Sequence, residues 1–292
     1  MSDANPACPQ CGSLKTKLKY FQAGLAPAVS LTAPAEFPYR FWRCLSCDLC
    51  FNTILPNKAF LTMLGQNPRF AHLAAAASTY LHLLRPFLTQ HGRFLDLGRR
   101  DLACLAAIEQ EYPYLELYGL RPFPMASAAS PQDLKATITA EPWNIHLYPA
   151  HYFDYIMLAQ TLEDLPDPAA KMHDILHWLR PGGKLLIFCH NYRSPLNLLL
   201  GKRSPIYTAQ HCQLYSPAAL TYLCRGLKKV VLKSYVTFYQ ASYLWSLLQA
   251  AYPLLQRFKY PADLAVLKLP LPAGNIFAIF EQTSLLTAYP GR

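Results

Sequence analysis

Arg93-Phe-Leu-Asp-Leu-Gly98, then Asp101-Leu-Ala-Cys-Leu-Ala-Ala-Ile-Glu-Gln-Glu111, then Leu115-Glu-Leu-Tyr-Gly119 is the stretch that sets the fold class. Phe94 to Leu97 is a short apolar run ending in a glycine turn, as expected of a buried strand. Asp101 to Glu111 has helical spacing, with Leu102, Leu105, Ala106 and Ile108 on one face. Leu115 to Gly119 reads as a second strand. The alternation continues with strands at Ala136–Thr139, Phe153–Leu158 and Lys184–Cys189. A helix from Asp167 to Leu179 opens with an acidic cap and a first-turn proline, and Pro181-Gly-Gly183 reads as a turn. Ser216-Pro217 caps another helix running to about Arg225, and strands from Lys229 and over Asn275–Glu281 close the series. Strands separated by helices predict an α/β domain with a mainly parallel sheet covered on both faces.

The first residues follow a different logic. Cys8-Pro-Gln-Cys11-Gly12 and Cys44-Leu-Ser-Cys47 are two C-x-x-C knuckles, which together suit one tetrahedral zinc ion. The competing reading is a set of ordinary buried thiols. Five of the chain's nine cysteines fall in the first fifty residues, an odd total that fits metal binding in a reducing cytosol better than a disulfide framework. The expected organisation is a metal module over residues 1–56, a helical linker over 57–92 and the main domain over 93–292.

Hydrophobic residues make up 52% and charged residues 15% of the 292-residue chain, enough for a large core. The net charge of +10 admits an anionic small molecule or a membrane surface as partner. Nucleic acid is disfavoured, because no run of like charges and no RNA-reading motif is present. The first residues, Met1-Ser-Asp-Ala-Asn-Pro6, lack a secretory pattern, so the expected location is the cytoplasm. Ser234 to Gln256 carries no charge, but its glutamines, hydroxyl residues and Pro253 argue against a membrane span. A helix over Tyr243–Phe258, bearing Trp245, Leu247, Leu248, Tyr252 and Leu255, is expected to be buried or to meet a protein partner, a second copy or a membrane surface.

With this order of elements the chain resembles class I S-adenosylmethionine-dependent methyltransferases, in the subfamily that carries an N-terminal zinc-binding ribbon. The matching residues are Cys8-x-x-Cys11-Gly12, Arg43-Cys44-x-x-Cys47 with Phe51-Asn52, Phe94-Leu-Asp-Leu-Gly98, Phe153-Asp154, Leu162-Glu163, Pro166-Asp-Pro168, Leu179-Arg-Pro-Gly-Gly-Lys184 and Tyr215-Ser-Pro217. The resemblance implies a Rossmann-like sheet of seven strands with an antiparallel edge, preceded by the ribbon. It makes Cys8, Cys11, Cys44 and Cys47 the ligands of a structural zinc, with Cys50 a spare. Asp48 stands where the ribbon pattern has glycine.

The resemblance also implies a cofactor site, and here the chain departs from the pattern. Of the Gly-x-Gly-x-Gly turn only Gly98 persists; Arg99, Arg100, Asp101 and Leu102 fill the rest. Arg121 replaces the acidic residue that accepts from the ribose hydroxyls, and a guanidinium has donors only. An arginine about 6 Å from the sulfonium would repel it by roughly 3 kcal/mol at an effective dielectric near 20, a penalty that outward-turned side chains, or pairing of the arginines with Asp96 or Asp101, would reduce. One reading is therefore a scaffold or binding protein with an eroded site, in which Arg99, Arg100 and Arg121 hold an anion or face solvent. The other is an active methyltransferase on a small sugar-like or phosphorylated acceptor, with Asp96 and Glu141 supplying acceptors to the cofactor beside Gly98 and Arg121. On the acceptor side His211 is the candidate general base, or else it fixes its loop through a hydrogen bond. His190, Asn191, Tyr192 and Arg193 lie close by in sequence to the same strand edge.

Overall fold

In the computed structural model, the structure describes residues 5–22, 38–56, 74–98, 102–121, 134–235, 237–241, 244–245, 248–249, 252–258, 267–271 and 274–283. The chain forms two compact units, each drawn from separated pieces of sequence. Met1–Pro56, Cys189–Leu223 and Lys233–Phe277 make the first; Asn57–Phe188, Cys224–Leu232 and Ala278–Arg292 make the second.

In the first unit, β1 (Thr16–Gln22) and β2 (Tyr39–Cys44) pair antiparallel, and β3 (Cys50–Asn52) pairs antiparallel with β2. A two-residue strand, β9 (Gln213–Leu214), completes this four-stranded sheet, setting Leu214 against Cys50 and Gln213 against Phe51. Tyr39, Phe41, Cys50, Tyr192, Ile206, Tyr207 and Leu214 form one core, with Tyr20 packed on it. Aromatic edges lock it together: Tyr20 and Tyr207 centroids lie 4.7 Å apart, and those of Phe41 and Tyr207 5.3 Å. The short helix α4 (Pro195–Leu200) starts at Ser194, whose hydroxyl accepts from Asn197 N at 3.2 Å. At α5 (Pro217–Leu223), Ser216 plays the same part for Ala219 N at 3.1 Å. β11 (Thr237–Gln240) and β12 (Lys268–Leu271) form an antiparallel pair. Of the helix expected over Tyr243–Phe258, residues 243, 246, 247, 250 and 251 lie outside the described residues, while 244–245 and 248–249 are helical. Its described end, Pro253–Arg257, is a short 3-10 turn that leaves Leu254 exposed and Phe258 exposed just beyond it. Among the described residues no helix is long and apolar enough to cross a membrane.

The second unit is organised by a seven-stranded sheet in the order β10-β13-β8-β7-β4-β5-β6. Its strands are β4 (Gly92–Asp96), β5 (Leu115–Leu120), β6 (Thr137–Thr139), β7 (Phe153–Ala159), β8 (Leu179–His190), β10 (Lys228–Ser234) and β13 (Asn275–Glu281). From β8 across to β6 the pairs are parallel. Bonds from Gly182 N to Gln282 O and from Asn191 N to Gly274 O run β13 antiparallel to β8. Phe94, Leu95, Ile156, Met157, Leu158, Leu186 and Ile187 are all buried, which accounts for unbroken apolar runs in place of alternation. The helices are α1 (Ala74–Leu84), α2 (Ala103–Glu111) and α3 (Pro168–Trp178).

Two details differ from the sequence reading. Pro181-Gly-Gly183 lies within β8 as an irregularity, not before it: Gln282 exchanges both backbone bonds with Gly182 and Gly183, and Gly182 takes φ 75°. On α2, Cys104 is buried and Ala106 only half-buried, so the inward stripe is turned slightly from the expected one. Asp167 does cap α3, accepting from Ala170 N at 3.0 Å ahead of Pro168. Asp167→Ala is expected to cost about 1 kcal/mol, read as a lower urea midpoint at unchanged slope.

Candidate functional site

Two groups of residues carry chemistry, one in each unit. In the first unit the Sγ atoms of Cys8, Cys11, Cys44 and Cys47 all lie within 4.8 Å of one another. Cys8 and Cys47 sulfurs are 3.6 Å apart, those of Cys11 and Cys44 3.5 Å. Sulfurs at about 2.3 Å from a tetrahedral zinc are about 3.8 Å apart, so the donor set fits such an ion. Left to themselves, crowded thiols cannot all ionise. A hydrogen bond from Cys47 holds Cys8 down at about 6, while burial lifts Cys11 to about 11. Cys50 lies outside the cluster, fully buried, and burial pushes its thiol up to about 12.

Local backbone geometry brings the sulfurs together. Gly12 follows Cys11 at φ 70° and Asp48 follows Cys47 at φ 60°, so both knuckles turn through the left-handed region. A non-glycine residue there is strained unless its surroundings hold it, and aspartate tolerates it better than most. Asp48 is held by Arg43 Nε donating to Oδ1 at 2.6 Å, and by the Tyr192 hydroxyl donating to Oδ1 and to the backbone carbonyl at 2.9 Å each. Ser216 Oγ donates to the same carbonyl at 3.3 Å. Burial works against the charge of Asp48, but bonds with Ser216, Arg43 and Tyr192 outweigh it and hold its carboxyl below the usual range. Tyr192 is therefore a buried strut of the cysteine module. Tyr207 and Tyr215 are likewise buried.

In the second unit, parallel pairing sets Asp96, the last residue of β4, opposite Gly119 near the end of β5. Arg121 follows β5 directly and its backbone N–H bonds Thr139 O, which fixes its start point. Its side chain folds back along the sheet edge. Arg121 Nη2 donates to Asp96 Oδ2 at 2.7 Å, and Nη1 donates to the carbonyls of Asp96 at 2.9 Å and Leu120 at 3.1 Å. Both side chains are only 3% exposed. The other carboxylate oxygen of Asp96 accepts from Gly98 N at 2.7 Å. A Cβ at Gly98 would stand 2.9 Å from that oxygen, so the close turn requires glycine.

The ion pair changes the electrostatic problem posed by the sequence. The charge of Arg121 is balanced by Asp96, which removes most of the expected like-charge repulsion. What persists is a carboxylate already committed to internal donors and a guanidinium with no acceptor to offer. Arg99, Arg100 and Asp101 lie outside the described residues. Glu141 is exposed in the segment after β6. Beyond β7, Thr161 Oγ1 donates to Leu97 O at 3.0 Å, and Glu163 is buried at 1% exposure. Thr161 drew no attention in the sequence, since a lone threonine carries no pattern.

His211 belongs to the first unit, whereas Asp96, Gly98, Arg121 and Glu141 belong to the second. Its Nδ1 sits 2.8 Å from Ile206 O. A carbonyl only accepts, so Nδ1 carries the proton and the imidazole is tied to its own loop. The His190 ring lies 5.4 Å away, with its Nδ1 2.9 Å from Asn275 Oδ1.

A family model described as a methyltransferase domain matches residues 69–227. No curated protein sequence matches the chain. Among solved structures, a candidate methyltransferase from Bacillus halodurans C-125 is 12% identical with a TM-score of 0.50, covering 71% of this chain and 99% of its own. A candidate methyltransferase from Haloferax volcanii, solved in complex with the Trm112 methyltransferase activator, is 13% identical with a TM-score of 0.54, covering 76% and 97%. At these identities the likeness shows the fold: a Rossmann-like methyltransferase fold with a seven-stranded mixed sheet.

Two outcomes are expected of the site residues. Metal analysis of the purified chain should find one tightly held ion per chain, lost in Cys44→Ser and kept in Cys50→Ser. Arg121→Met alone, which strands a buried carboxylate, should cost about 3–5 kcal/mol in denaturant unfolding, and adding Asp96→Asn should recover most of it.

Proposed function

Since the chain belongs to the methyltransferase-domain family, we propose that it is a methyltransferase-like protein whose cofactor crevice is closed by an internal ion pair, working as a scaffold or binding protein. The observation that carries this reading is the 2.7 Å contact of Arg121 with Asp96, both 3% exposed. S-adenosylmethionine brings ribose hydroxyls that need an acceptor at the end of the second strand of the domain. Arg121 supplies none there, and the nearest carboxylate is engaged by the guanidinium and the Gly98 amide. Opening the pair to admit the nucleoside would strand two buried charges, a penalty of several kcal/mol against binding.

In the same reading the four cysteines hold a structural zinc. A closed four-thiolate site leaves no position for water, so the ion would fold the module and not act in chemistry. Cys8, Cys11, Cys44 and Cys47 would be its ligands, with Asp48 and Tyr192 setting the second knuckle.

A partner-dependent enzyme is the second reading. It is favoured by the Haloferax volcanii neighbour, which is solved with a methyltransferase activator. On this chain a partner would have to supply the energy that separates Arg121 from Asp96. The acceptor would then be a small sugar-like or phosphorylated molecule, with His211 the candidate base.

Isothermal titration of the metal-loaded chain decides between closure and an intact site. With S-adenosylmethionine up to millimolar concentration no saturable heat is expected from the unmodified chain. Micromolar binding by the unmodified chain would overturn the proposal.

A further inference from the structure

One cluster of basic side chains lies in the first unit. On the ribbon, Lys17 of β1 stands directly opposite Arg43 of β2. Directly opposed residues of an antiparallel pair share a face, and like charges there are destabilising. Two residues along β1, Lys19 is half-buried, its ammonium 5.1 Å from the Tyr20 ring centroid and 5.2 Å from that of Tyr192. No hydrogen-bond acceptor meets this ammonium among the described residues. Burial lowers its pKa, and the charges of Arg43 and Arg193 lower it further.

Among the described residues the only carboxylate with this group is Asp48, and it is already engaged. Arg43 Nε reaches its Oδ1 at 2.6 Å, and Arg193 Nε is 3.7 Å from its Oδ2. Each arginine approaches Asp48 through Nε, and their side chains are 35% and 43% exposed. Lys17, Lys19, Arg43 and Arg193 thus supply four formal positive charges against one negative. All five residues belong to the first unit.

We propose that this cluster is an oxyanion site that binds a phosphate group, with Lys19, Arg43 and Arg193 as its donors and Asp48 as the internal brace that aims the two guanidinium groups. Planar forks suit phosphate oxygens, while an ammonium held between two rings presents a preformed point charge. Neutralising the thiolates of the cysteine cluster is the competing role. The proposal does not depend on whether the crevice of the second unit admits a cofactor.

The test uses the full-length, metal-loaded chain, with inorganic phosphate as the probe, followed by phosphorus NMR line broadening. Saturable binding in the millimolar range is expected at low salt. It should weaken roughly tenfold or more in Lys19→Gln and in Arg193→Gln, and largely return in Lys19→Arg, with metal content equal in all four proteins. No saturable binding by the unmodified chain, or equal binding by the glutamine variants, would sink the idea. Loss of metal in folded Lys19→Gln and Arg193→Gln would assign the charges to the cysteine cluster instead. Binding of a single-stranded oligonucleotide with steep salt dependence, in the absence of phosphate binding, would replace a discrete site with a polyanion surface.

Discussion

A guanidinium that is 3% exposed must be paired, and the pairing of Arg121 with Asp96 organises the end of the sheet where ligands of such folds bind. Removing either ion from water costs several kcal/mol, which close geometry and additional hydrogen bonds offset. The offset comes from four contacts: one salt bridge, two carbonyls accepting from Nη1, and the Gly98 amide on the second carboxylate oxygen. The Asp96 carboxylate and the Gly98 amide are thereby both engaged within the fold.

The cysteine module rests on a comparable compromise. Asp48 accepts an unfavourable φ of 60° so that Cys47 can face Cys8, and Tyr192, Arg43 and Ser216 hold it there. Tyr192 and Ser216 lie far along the chain from the knuckle they brace. The module is thus not closed within its first fifty-six residues. Its sheet is completed by β9 and its core by Ile206, Tyr207 and Leu214. A small cysteine module gains, in this way, apolar burial that its own length cannot supply.

Much of this was legible from local sequence. Unbroken apolar runs at Phe94–Leu97 and Phe153–Leu158 and the Asp167-Pro168 cap report features that act over a few residues, so they read directly. The Cys-x-x-Cys spacings report a chemistry that demands four soft donors. Arg121, whose side chain carries donors only, was visible as well at the end of the second strand of the domain. Pro181-Gly-Gly183 misled as a simple turn because the bonds that draw it into β8 come from Gln282, a hundred residues away. His211 drew attention as an imidazole in a loop, while the Ile206 carbonyl that ties it down leaves no trace in the sequence.

The chain's own order of residue types therefore determined the α/β alternation, the two Cys-x-x-Cys knuckles and the donor-only side chain of Arg121 after the second strand of the domain, because each depends on short spacing or on what a side chain can chemically do. Tertiary structure alone decided where the charge of Arg121 is balanced, which distant residues brace Asp48, and that Arg43 and Arg193 share its carboxylate. Those outcomes depend on which groups meet across long loops in a medium of low polarity. There the energy of an ion is set by its neighbours in space, not by its neighbours in sequence.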